Sequence, residues 1–214
     1  LMYEDLKNQL YEAHLNLEKY GLVAYTSGNV SVRVGSHIII KPSGVPYDKL
    51  KPQDMVVINM QGNVVEGDLK PSVDSATHLY LYNNLDDIGS IIHTHSPYAS
   101  SFALLNQPLP VYSTAHADVF GVEIPVSPYA PVGTEAIGKA VVDVVNQARA
   151  VLLSKHGVIV MGKDIQEAIR NAIFLEEVAK TAYFARTMGN PEPLDKEEAK
   201  RLFEFHHKSY GQKK

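Results

Sequence analysis

The chain has 214 residues, 45% of them hydrophobic, a formal net charge of −4 and a sequence pI of about 6.1. That length suits one large domain, the apolar share supports a sizeable core, and the absence of a basic surplus argues against a nucleic-acid partner. Cysteine is absent, which excludes disulfides, thiolate metal sites and a cysteine nucleophile, and fits a cytoplasmic protein. No apolar run approaches the roughly 18 residues that span a membrane. The start is charged and helix-like rather than a signal peptide, and Leu1 is expected to be a remnant ahead of a true start at Met2.

Residues 3–20 place Leu6, Leu10, Ala13 and Leu17 at helical spacing, with Gly21 as the stop. Thr26-Ser27-Gly28-Asn29 is small and polar and runs into an alternating strand through Val30 and Val32. A second apolar strand, Ile38 to Ile40, leads into Lys41-Pro42-Ser43-Gly44-Val45, and a third polar segment reads Lys70-Pro71-Ser72. Gly28 lets a backbone approach a ligand closely, and Ser27 and Asn29 can donate hydrogen bonds, so these segments together suggest an anion pocket. Each alone also reads as a plain turn. Met55–Met60 and Val64-Val65 flank Gln61-Gly62-Asn63 as a hairpin. Ser72 to Asn84 reads as a helix with Ser72 as N-cap, and Asp74 falls in its first turn, where a carboxylate is favoured.

The run Ile88 to Ile92 delivers His93 and His95. On a strand these share a face, and two adjacent imidazoles can grip one divalent metal; an ordinary polar pair at a strand end is the alternative. Pro97 to Leu105 is a helix with proline at its first position. Pro110–Tyr112 and Val122–Val126 read as short strands around the polar segment from Ser113 to Asp118. Gly133 to Gln147 is a helix, and Val151–Ser154 and Val158–Met161 are strands around His156-Gly157. Asp164 caps a long helix to about Met188, and Asp195 starts a last one ending near His206-His207. His14, His37 and His78 are expected at the surface or the core edge. The fold class is therefore α/β: residues 1–214 as a single domain, with a central, mainly antiparallel or mixed β-sheet flanked by helices. The residues suggest a mononuclear metal site from His93, His95 and His156, with Asp74 as fourth ligand or catalytic neighbour. Zinc, manganese and cobalt all suit such donors.

Ser27-Gly28-Asn29-Val30-Ser31, Lys41-Pro42-Ser43-Gly44-Val45, Lys70-Pro71-Ser72-Val73-Asp74, His93-Thr94-His95-Ser96, Thr114-Ala115-His116-Ala117-Asp118 and His156-Gly157 occur in one order. In this the chain resembles the class II aldolase/adducin-head family, from the first helix to the C-terminal tail. The resemblance implies a class II aldolase-like fold and one divalent metal per subunit, Zn2+ first, on His93, His95 and His156 with Asp74 completing the shell. It implies a sugar-phosphate pocket from Gly28, Asn29, Ser43, Gly44 and Ser72, with Lys41 supplying positive charge. It also implies a homotetramer with active sites at subunit interfaces.

Within the family, Asp74, Lys41, Ala115-His116-Ala117-Asp118 and Tyr210-Gly211-Gln212 look like the epimerases. This implies conversion of L-ribulose 5-phosphate to D-xylulose 5-phosphate by retro-aldol/aldol chemistry at carbon 4. Asp118 and Tyr210, from a neighbouring subunit, would be the acid/base pair. His116 would contact substrate or orient another group. The alternative is a class II aldolase of the L-fuculose 1-phosphate type, releasing dihydroxyacetone phosphate and an aldehyde; a third reading is a non-catalytic adducin-head-like scaffold. Two features depart from the epimerases: Val73 stands where they have a second serine, and the segment from Tyr129 to Val145 is short, closer to the aldolase frame.

Overall fold

Ile38, Ile39 and Ile40 are all fully buried, which a strand permits only where both faces of its sheet are covered. In the computed structural model, which describes residues 2–211, that is the arrangement. Strands β1 (Asn29–Val34), β2 (His37–Ile40), β3 (Val56–Asn59), β4 (Val64–Glu66), β5 (Ser90–Thr94), β6 (Val126–Ser127), β7 (Ala150–Leu153) and β8 (Val158–Gly162) form one eight-stranded sheet in the order β4-β3-β2-β1-β5-β8-β7-β6. The β6–β7 pair is parallel and the other neighbours antiparallel, so the sheet is mixed.

Alternation along the strands sorts the core into two layers. Val30, Val32, Ile92, Val158 and Val160 face helices α1 (Met2–Lys19), α3 (Pro97–Leu104) and α6 (Ile165–Met188). Ile38, Ile40, Ile91, Ile159 and Met161 face α2 (Ser75–Asn84) and α5 (Ala136–Val142). Two further helices, α4 (Thr114–Phe120) and α7 (Lys196–Ser209), pack on each other around Val111, Ala117 and Ala199. Aspartates start α6 and α7 as expected: Asp164 accepts the Glu167 N–H at 2.8 Å, and Asp195 those of Glu197 and Glu198.

Several expectations are corrected. Ser72 is not the cap of α2; Asp74 holds that position, and Ser72 forms a turn ahead of it. The polar segment after Ser113 is a helix, capped by the Ser113 hydroxyl accepting the His116 N–H. The strands expected around it shrink to a Leu109–Ile124 bridge and the two-residue β6, because Pro110 and Pro125 carry no ladder donor. Helix α5 stops at Val142 rather than Gln147; Asn146 turns its side chain to the Glu123 carbonyl and the Ala148 N–H, competing with helix.

His14 and His78 are fully buried, not at the surface or core edge. His14 lies on the Leu10–Leu17 stripe of α1. Its Nε2 accepts the Val30 N–H at 2.9 Å, so Nδ1 carries the proton and donates to the Leu10 carbonyl at 2.7 Å. Burial lowers its pKa to about 3. It thus holds β1 beside Asn29 as a neutral ring.

Candidate active site

Antiparallel pairing sets His93 opposite Asn29 on β1 and opposite Ile159 on β8. His95 lies two residues on, past the strand end. His156 returns in the β7–β8 turn, where Lys155 takes a left-handed φ of 58°. Gly157 makes the close approach possible: a Cβ there would lie 2.4 Å from the Thr94 carbonyl oxygen and 2.7 Å from His95 Cδ2. The buried Glu176 of α6 accepts the Tyr98 and Ala99 N–H groups at 2.9 Å and so fixes the start of α3 shortly after β5.

The three rings converge, with centroids 4.8 to 5.0 Å apart and one ligating atom from each within 4.8 Å of the others. Exposure grades outward from the buried His93 through His156 to His95. His93 Nδ1 donates to the Val158 carbonyl at 2.9 Å, which leaves its Nε2 bare and facing His95 Nε2 at 3.1 Å. That separation is close to the edge of a tetrahedral zinc shell, about 3.3 Å for Zn–N bonds of about 2.0–2.1 Å. His156 Nδ1 is buried with no hydrogen-bond partner among the described residues. Burial lowers the pKa of all three rings, that of His93 to about 4, which keeps them in the neutral form that binds metals. The residues fit a divalent cation.

Asp74 borders the same cavity, which measures ≈ 350 Å³. Burial pushes its carboxyl up, but His93, His78, the Asn29 hydrogen bond and His156 pull it further down, so it lies below the ordinary aspartate value. Asn29 Nδ2 donates to Asp74 Oδ2 at 2.7 Å and to Ser72 Oγ at 3.1 Å, while its Oδ1 is buried without a partner among the described residues. One rung along, Ser31 Oγ meets His78 Nδ1 at 2.7 Å, so α2 lies in register over β1.

Gly28, Asn29, Lys41, Ser43, Gly44 and Ser72, read separately in the sequence, line this cavity together with the triad. The Pro42–Pro71 bridge joins two of their loops, with the Ser72 N–H on the Lys41 carbonyl and the Ser43 N–H on the Lys70 carbonyl. Gly28, at φ 74°, puts its backbone where a Cβ would meet the His93 carbonyl oxygen at 2.9 Å. Lys41 is buried, and its ammonium donates to the carbonyls of Thr26, Pro42 and Val45 at 3.0 to 3.4 Å. Burial lowers its pKa to about 8. It therefore clamps two loops as well as charging the pocket. Tyr47 adds a bond to the Ser27 carbonyl at 3.0 Å. Val73 and Val132 line the cavity with exposed apolar side chains.

Asp118 and Tyr210 come together elsewhere. They flank His206 beside a second cavity of ≈ 600 Å³ bordered by Lys163, Arg170, His206 and Tyr210. Lys163 follows the last residue of β8, whereas His156 precedes its first. Five strand residues lie between, on the order of 15 Å of chain. The pair is thus at the opposite end of β8 from its own chain's triad. His116 is in neither cavity; it is buried, and its Nε2 donates to the Val122 carbonyl at 2.9 Å. Burial lowers its pKa to about 4. Gln212 lies outside the described residues. The supporting roles of His14, His78, Glu176 and Tyr47 escaped the sequence reading; for His14 the Leu10–Leu17 stripe was the available signal.

The family described as class II aldolase and adducin N-terminal domain matches residues 8–183, and the chain belongs to that family. Among solved structures it is similar to an L-fuculose 1-phosphate aldolase, 34% identical, with a TM-score of 0.87 and 94% of this chain and 95% of the other covered. An L-fuculose-1-phosphate aldolase from Thermus thermophilus is 26% identical over 87% of this chain and 98% of the other, with a TM-score of 0.76. YgbL from Klebsiella pneumoniae is 27% identical over 94% and 98%, with a TM-score of 0.82. No helix among the described residues is long and apolar enough to cross a membrane.

Proposed function

We propose that the protein cleaves and re-forms a carbon–carbon bond of a ketose phosphate, and that its reaction is inversion at carbon 4, L-ribulose 5-phosphate to D-xylulose 5-phosphate. The observation that supports the carbon–carbon chemistry is the joining of the imidazole triad and the Asn29–Ser43–Ser72 pocket in one cavity; the choice of inversion rests on the resemblance of Lys41, Asp74, Ala115-His116-Ala117-Asp118 and Tyr210 to the epimerases. His93, His95 and His156 would hold a divalent cation, zinc or else manganese or cobalt, with Asp74 as the fourth ligand, and such a cation would supply Lewis acidity at the substrate carbonyl. Ser43, Gly44, Ser72 and Asn29 hold the phosphate, and the buried Lys41 ammonium adds the charge that favours it.

Breaking the bond between carbons 3 and 4 requires a proton to leave the carbon-4 hydroxyl. Re-forming it on the other face of the aldehyde requires a proton to return from the opposite side. Asp118 and Tyr210 serve as these two groups. Because their cluster and their own triad occupy opposite ends of β8, each working site takes them from a neighbouring copy, in a homotetramer by family resemblance.

A second reading is supported by the 34% identity to an L-fuculose 1-phosphate aldolase: cleavage of a ketose 1-phosphate with release of both fragments. The intact triad argues against a scaffold without catalysis. The test is incubation of zinc-loaded protein with L-ribulose 5-phosphate and, separately, L-fuculose 1-phosphate, followed by NMR. D-xylulose 5-phosphate without free aldehyde supports the epimerase. Dihydroxyacetone phosphate from the second substrate alone makes the protein an aldolase, and turnover of neither overturns both readings.

A further inference from the structure

Asp118 lies on α4, Tyr210 caps α7, and one imidazole stands between them. His206 Nδ1 is 4.0 Å from Asp118 Oδ2. On its other side the Tyr210 ring lies nearly flat on the imidazole, centroids 4.2 Å apart and planes inclined by 18°. Tyr210 has left the helix, with φ −83° and ψ 144°, and is 77% exposed. Its hydroxyl makes no hydrogen bond among the described residues, so the stack on His206 sets its direction. The backbone bond from the Tyr210 N–H to the His206 carbonyl, 3.0 Å, is kept in His206→Ala and His206→Phe, which isolates the side chain as the variable.

We propose that His206 is a positioning residue that holds Tyr210 beside Asp118, so that one subunit presents the two to another's site as a single unit. This rests on the reading of Asp118 and Tyr210 as the acid/base pair. Among the described residues, the stack on His206 is the only ring contact of the tyrosine, whose backbone stands at the end of the helix. An aromatic stack is strong enough to change the oriented fraction of a side chain about two- to tenfold. The part of His206 that does the positioning is its flat face toward Tyr210; its Nδ1 edge lies toward Asp118.

The experiment combines kinetics with NMR on the zinc-loaded protein, using whichever of the two sugar phosphates it turns over. His206→Ala is expected to lower kcat about two- to tenfold with KM nearly unchanged. His206→Phe, which keeps a flat ring, restores it. In a Tyr210→Phe background, His206→Ala adds no further loss. Independently of turnover, the Tyr210 ring protons, assigned by their loss in Tyr210→Phe, shift toward free tyrosine in His206→Ala and not in His206→Phe. Unmoved resonances in His206→Ala, equal losses in the Ala and Phe variants, or additive losses in the double variant would overturn the proposal. If Tyr210→Phe alone leaves turnover intact, the acid/base reading fails, and the ring resonances still decide whether His206 is the platform.

Discussion

The triad before β8 and the Asp118–His206–Tyr210 cluster beyond its far end hold their side chains by different means. At the triad the backbone does the holding. His93 sits in a strand paired on both sides, its Nδ1 is tied to Val158, and the missing side chain of Gly157 admits the His95 ring. At the other end α4 and α7 meet through a small cluster around Ala117 and Ala199, and the one ring contact of Tyr210 among the described residues is its stack on His206. The first arrangement is stiff because moving one ring disturbs a sheet core. The second is softer because Tyr210 stands past the end of α7 and, among the described residues, only the His206 ring stacks on it. Under the proposed reading, the half that holds the cation is pre-built, and the half that moves protons is completed on assembly.

The largest expected effect breaks the first half alone. His95→Ala should empty the site of metal and lower turnover more than about a thousandfold, with circular dichroism unchanged because His95 is exposed. Metal analysis beside an activity assay checks this. Asp118→Asn and Tyr210→Phe should each lower turnover about a hundredfold with full metal content; loss of metal in either would dissolve the distinction between the two halves. Acid should weaken the support beneath the stiff half. His14 has its pKa lowered to about 3 when folded, so between its ordinary value and that one the unfolded chain binds the extra proton. The stability that neutral His14 contributes should be complete above about pH 6.5 and be lost as pH falls toward 3. The buried His78, His93 and His116, each lowered to about 4, act with the same sign. His14→Leu should cost about 1–3 kcal/mol at pH 7, by stranding the Val30 N–H, and should lose less on acidification than the parent, as urea unfolding at pH 7 and 4.5 would reveal. The smallest effect concerns the pocket wall: Val73→Ser should lower KM for the phosphate substrate about two- to fivefold, the worth of one added hydrogen bond.

Much of this was open to reading residue by residue. The His-x-His spacing after an apolar strand placed two rings on one face. Asp164 and Asp195 marked helix starts that the fold keeps. The polar loops suggested an anion pocket, and they do line one cavity. Other features were hidden because they depend on partners distant in the chain. Nothing near Glu176 indicates that it caps a helix 77 and 78 residues earlier, and nothing near Lys41 reveals three carbonyls around its ammonium.

Local rules, the two-residue period of strands, aspartate at helix starts and the donor chemistry of imidazole, were enough to derive an α/β chain with a metal-ready triad. Folding alone decided that His14 and His78 are buried, that Thr114 to Phe120 is a helix, and that Asp118 and Tyr210 gather around His206 away from their own triad. The reason is physical. Periodicity and capping act over one or two turns of chain, whereas burial, ring stacking and the end of a strand at which a side chain emerges are set by elements that meet only when the sheet closes.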